Sequence, residues 1–193
     1  MMLHVAKTLR VLTVAPLMAL VMLIVLFAKD PAAIGGVGFF AASVGFLTVL
    51  PLLGYPLQPL FPHFRGKGRE GQRNLAMIFA VLGYILGCVT AFAAHAPERL
   101  KIIFLAYLFS GVLVVLFNFL LHVRASGHAC GVAGPFAILA FFGQWAGCLG
   151  VIPLAIVWWS SLKAGRHTLE QLIAGTILPF FGLTLASLLI HGF

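Results

Sequence analysis

Long apolar runs, broken at intervals by short polar clusters, dominate the chain. The first run extends from Thr8 to Ala28 and is ended by Lys29-Asp30-Pro31. The second covers Ala33 to Gly54, and its Gly35, Gly36, Gly38 and Gly45 suit close helix–helix contact in lipid. A polar connection from Tyr55 to Asn74 follows, with Pro56, Pro59 and Pro62 and then the basic stretch Arg65 to Arg73. The third run is Leu75 to His95, and the fourth, introduced by Pro97-Glu98-Arg99, is Leu100 to Leu121. Cys130 to Trp159 is nearly unbroken and too long for one straight crossing. Gly143-Gln144-Trp145-Ala146-Gly147 divides it into two short helices, Ser126–Gly143 and Leu149–Leu162. Leu169 to Ile190 is the last run. A spanning helix needs about 20 apolar residues, and lipid admits only helices or closed barrels because every backbone polar group must be satisfied internally. The pattern predicts an all-α polytopic membrane bundle of about six transmembrane helices, a single membrane-embedded domain over residues 1–193.

Composition agrees. Of 193 residues, 62% are hydrophobic and 8% charged, where a soluble domain carries about 25% charged residues. Lys7 and Arg10 precede the first run as they would in a signal peptide. That run continues to Phe27, longer than a usual signal core, so a retained helix is expected. Cys88, Cys130 and Cys148 are odd in number, lack CxxC spacing and fall in apolar stretches. They read as small buried side chains rather than a disulfide framework or zinc site.

The net charge is +8. With few aromatics interleaved among the cations, nucleic acid is not expected as a partner; membrane lipids are. The alternation of spans puts Lys7, Arg10, Arg65, Lys67, Arg69, Arg73, Arg124, Lys163 and Arg166 on one face, and Lys29, Arg99 and Lys101 on the other. Nine cations against three predict a cytoplasmic basic face, carrying the N-terminus.

Three polar clusters gather on that face: Lys67 to Asn74 before the third run, Arg124 to His128 opening the fifth, and Lys163 to Gln171 opening the last. Ionisable side chains near membrane depth are costly and mark function. Ser126-Gly127 at a helix start offers free N–H groups and the positive end of the dipole. Arginine adds bidentate donors matched to phosphate oxygens. Two histidines beside such a site suit a nucleophile and a general acid.

On these residues the chain resembles the type 2 phosphatidic acid phosphatase superfamily of membrane lipid phosphatases. Ser126-Gly127-His128-Ala129 is similar to its second signature, and Gly165-Arg166-His167-Thr168 with Gln171 and Ala174-Gly175 to its third. The basic stretch Lys67 to Arg73 sits where its first is expected. The resemblance implies a metal-independent phosphatase or phosphotransferase with no cofactor, acting on a phosphatidate-like or isoprenyl phosphate lipid. His167 would take the phosphoryl group, His128 would protonate the leaving alkoxide, and Gln171 would orient His167. Lys67, Arg69, Arg73, Arg124, Ser126, Gly127, Lys163 and Arg166 would hold the phosphate. The sequence departs from the family at Ser161, where Arg is expected, at Gln171, where Asp is expected, and at Arg73-Asn74, where Arg-Pro is expected.

Plainer readings stand beside these. Arg65 to Arg73 also satisfies the positive-inside signal alone, and Arg166-His167 also fits an interfacial cation and histidine at a span end. His4, His63, His95, His122 and His191 read as interfacial, and Trp158-Trp159 as a membrane-interface anchor. Glu70 and Glu170 fit surface ion pairs. The alternatives to an enzyme are an inactive relative that binds or moves anionic lipid, and an accessory subunit of a membrane complex.

Overall fold

The structure, a computed structural model, describes residues 13–120 and 124–192. His4, Lys7, Arg10 and His122 lie outside the described residues. Among the described residues seven longer helical segments follow one another: α1 (Ala15–Lys29), α2 (Gly36–Leu53), α3 (Gly68–Ala93), α4 (Glu98–Leu120), α5 (Gly127–Phe141), α6 (Trp145–Lys163) and α7 (Leu169–His191). Among the described residues α2, α3, α4, α6 and α7 are long and apolar enough to cross a membrane, while α1 and α5 are apolar but shorter. The chain is an all-helical polytopic membrane bundle.

Local chemistry sets the boundaries. Pro16 stands in the first turn of α1, where the missing N–H costs nothing. At the other end the Asp30 N–H donates to Leu26 O at 3.0 Å. Gly35 and Gly36 both have positive φ, +88° and +82°, which L side chains disfavour; they turn the chain into α2. The middle of α2 widens into a π-turn over Gly45–Val49. In the loop that follows, the buried Gln58 donates from Nε2 to Phe64 O (2.8 Å) and Gly68 O (3.1 Å), which folds the loop back onto the start of α3. That helix begins at Gly68 rather than Leu75, so Arg69 and Arg73 stand on its first turns instead of in a loop. Gly143, at φ +72°, breaks the long apolar run, and Trp145–Gly150 forms a 3₁₀ turn leading into the α-helix Val151–Lys163.

Helix α4 is the central element, packing on α7 and α3. Its Leu100, Ile102, Ile103 and Phe104 are almost fully buried and meet Met22, Leu23 and Leu26 of α1, Ile138 and Leu139 of α5, and Leu183 and Ala186 of α7. A second cluster joins Ala129 and Val132 of α5, Val157 of α6 and Leu172 of α7. Trp158 packs on this second cluster and donates from Nε1 to Thr176 Oγ1 at 3.1 Å. It ties α6 to α7.

Three of the four glycines expected to bring helices together do not: a Cβ on Gly36, Gly38 or Gly45 would meet nothing within 4 Å, whereas one on Gly35 would lie 3.0 Å from Pro97 Cδ. Close approach falls instead at Gly83, where a Cβ would strike Phe46 O of α2, and at Gly175, where it would strike the Ser126 backbone. Small residues matter in lipid only where backbones touch, and α2 turns its glycines away from its neighbours. Of the cysteines, Cys88 and Cys130 are buried, but Cys148 is exposed on the 3₁₀ turn.

Candidate functional site

Two helix starts meet at one end of the bundle. Ser126 caps α5: its Oγ accepts from the Ala129 N–H at 3.3 Å, and the whole residue is buried. Its own N–H donates to Gln171 O of α7 at 2.9 Å. Gly175, one turn further along α7, lies against the Ser126 carbonyl. The end of α4 joins them, with Asn118 Oδ1 accepting from the Ala125 N–H at 2.6 Å. His128 and His167 are therefore at the same end of the bundle, each half-buried.

The start of α7 is a capping box, in which Thr168 Oγ1 accepts from the Gln171 N–H and Gln171 Oε1 accepts from the Thr168 N–H at 3.4 Å. A backbone N–H can only donate, which fixes the amide oxygen of Gln171 as the atom facing it. The same oxygen lies 2.9 Å from His167 Nδ1, so the neutral ring carries its proton on Nδ1 and presents Nε2 as acceptor. His128 Nε2 lies 3.2 Å from Thr13 Oγ1, at the start of α1. Thr13 has no counterpart among the residues expected from sequence; a lone threonine inside an apolar run gives no signal. The polar mouth thus draws on α1, α5 and α7.

The cations are arranged more loosely. Arg124, Lys163 and Arg166 are exposed, as is Gly127, whose Cβ position is open. The Arg166 N–H donates to Ser161 O at 3.1 Å, closing the end of α6. Lys67 Nζ lies 3.2 Å from His63 Nε2 and over the Phe64 ring, and Arg69 and Arg73 are exposed on α3. That helix packs against α2 and α4, and α4 reaches the mouth through Asn118 at its end. Glu70 and Glu170 make no ion pair with a described residue, against expectation. Ser161, where the resemblance calls for Arg, is fully buried, and its Oγ makes no hydrogen bond to a described residue. Among the described residues no three His, Cys, Asp or Glu side chains converge as a metal-binding group.

Fold and site together define a polytopic membrane protein with a histidine-bearing polar mouth at one end. No family model matches the chain, and no solved structure does. The chain is similar to two curated membrane proteins. It is 30% identical over 109 residues to the Na(+)/H(+) antiporter NhaA of Bartonella quintana (strain Toulouse), covering 52% of this chain and 23% of the relative. It is 31% identical over 109 residues to the Na(+)/H(+) antiporter NhaA of Bartonella bacilliformis (strain ATCC 35685 / KC583 / Herrer 020/F12,63), covering 52% and 24%. The match spans about a quarter of the length of these relatives.

These matches overturn the lipid-phosphatase resemblance and the function drawn from it, and they give no support to a relative that binds or moves anionic lipid or to an accessory subunit. The relatives belong to a different membrane family, and no family model supports a phosphatase. The physical reason is that the signatures are short. A Ser-Gly helix cap, a histidine at a capping box and basic interfacial residues are all common solutions for starting a helix at a membrane surface.

Proposed function

We propose that the chain is a membrane transport protein for a small inorganic cation exchanged against protons, with the imidazoles of His128 and His167 handling the proton. The observation that carries this reading is the similarity to Na(+)/H(+) antiporters over 109 residues. The chain's own chemistry adds a constraint. Its four carboxylates, Asp30, Glu70, Glu98 and Glu170, all stand at helix ends or in first turns. Proton exchange within this chain therefore falls to other side chains, and imidazole is the one whose charge changes closest to neutral pH. Gln171 holds the Nδ1 proton of His167, so the proton exchanges at Nε2.

The test is reconstitution into sealed vesicles holding a pH-sensitive dye, with an imposed pH gradient and sodium then added outside. Sodium-dependent collapse of the gradient is expected, slowed by about tenfold or more in His167→Ala, on the scale typical of lost acid–base groups. A collapse no faster than in protein-free vesicles would end the transport reading. Equal rates in wild type and in both His167→Ala and His128→Ala would remove the histidines from it.

In this reading the basic end faces the cytoplasm, by the positive-inside asymmetry of the cations. Cys148 supplies a native probe, because it is exposed in the 3₁₀ turn that opens α6, at the end opposite Ser126. A membrane-impermeant thiol reagent added to intact cells is expected to label Cys148 and to spare the buried Cys88 and Cys130. Labelling that appears only after the cells are opened would invert the orientation.

A further inference from the structure

An apolar groove of about 180 Å³ runs along the lipid-facing side of α3 and α4, lined by Val81, Tyr84, Leu108, Val112, Val115 and Leu116. It presents no polar atom. Its position relative to charge is what gives it meaning. On α3 the sequence Arg69, Arg73, Met77, Val81, Tyr84 advances in steps of four, four, four and three, so these residues share one helix face. On α4 Leu108, Val112, Val115 and Phe119 do the same in the opposite direction, and Phe119 is 77% exposed. The groove therefore opens toward the basic end, beneath two arginines that are exposed and make no ion pair with a described residue. Glu70 stands in the same first turn but one position off that stripe.

The geometry points to a bound anionic glycerophospholipid, with one acyl chain lying in the α3–α4 groove and its phosphate held by Arg73 and Arg69. Depth supports the assignment. Eleven residues separate Arg73 from Tyr84, about 16 Å along a helix, and one leaflet of hydrocarbon is about 15 Å thick. A chain whose head group meets Arg73 thus ends level with the floor of the groove at Tyr84. A partner helix fits less well, since a helix is about 10 Å across and would lie over the groove rather than in it. Arginine suits the phosphate through paired N–H donors. The lipid is held at this site and not turned over, on α3 and the outer side of α4 rather than at His128 and His167.

The experiment is native mass spectrometry of the detergent-purified full chain with equimolar phosphatidylglycerol and phosphatidylcholine. One phosphatidylglycerol is expected to be retained per chain, favoured by about tenfold because its phosphate charge is not offset by the quaternary ammonium that phosphatidylcholine would bring beside the two arginines. Arg73→Gln is expected to erase that preference while leaving phosphatidylcholine retention unchanged. Val112→Trp, at a lipid-exposed position that needs no repacking of the core, is expected to abolish retention of both. Equal retention of the two lipids by the wild-type chain, or an unchanged preference in Arg73→Gln, would overturn the proposal. So would a dimer that Val112→Trp dissociates, because the groove would then belong to a second copy.

Discussion

At the end of the bundle where α1 finishes and α4 begins, charge is matched locally. Arg99 pairs with Asp30 at 3.7 Å and lies over the Phe142 ring, Lys101 lies over Phe92, and His191 Nδ1 lies 3.8 Å from Glu98 Oε2, an ion pair when the ring is protonated. At the opposite end Arg65, Arg69, Arg73, Arg124, Lys163 and Arg166 make no ion pair with any described residue. The two ends are held together differently as a result. The matched end is tied by side chains reaching between helices. The basic end is tied by backbone and uncharged side chains: Ser126 N–H to Gln171 O, Gly175 against the Ser126 carbonyl, and the Gln58 and Asn118 amides bonded to loop backbone. Because its architecture does not consume its cations, that end has charge to offer to lipid phosphates or to a passing ion.

The sharpest way to break this contrast is to separate the backbones at the basic end. Gly175→Leu would drive a side chain into the Ser126 carbonyl, which cannot retreat because its neighbouring N–H is bonded to Gln171. A loss of about 3 kcal/mol is expected, at the upper end for overpacked sites, read as a large fall in Tm in detergent. Gly38→Leu, with open space at its Cβ, is the control and is expected to leave Tm nearly unchanged. Equal falls in both would mean that glycine content, rather than contact, sets stability.

This pair of glycines also marks how far the sequence could be read. Helix number, the division near Gly143 and the start of α7 at Leu169 follow from hydropathy, because lipid imposes length and continuity on each crossing. Which glycine faces a neighbour depends on how each helix is rotated, and an all-apolar helix carries no periodic signal to fix that. The bond of Trp158 to Thr176, eighteen residues away, is hidden for the same reason. The bond from Gln171 to His167 is local, four residues apart on one capping box, and so was legible. The Thr13 hydroxyl that meets His128 is 115 residues distant, and only the packing of α1 on α5 reveals it. Function failed to follow from the same clusters because helix starts at a membrane surface reuse the same residues for many purposes.

Stability at the matched end tests the contrast from the other side, with the smallest effect. Arg99→Gln removes both the pair with Asp30 and the stacking on Phe142, two contacts of a side chain that is 46% exposed. Solvent screens such a pair, so the loss should be about 0.5–1 kcal/mol, seen as a small fall in Tm that shrinks when salt is raised. Asp30→Asn breaks the same pair while its Oδ1 still accepts the Ala33 N–H, and should cost less than Arg99→Gln. Arg69→Gln has no pair to lose and should leave Tm in lipid-free detergent where it was. If Arg69→Gln destabilised the chain as much as Arg99→Gln under those conditions, the basic end would hold its cations by internal contacts, and the asymmetry between the two ends would disappear.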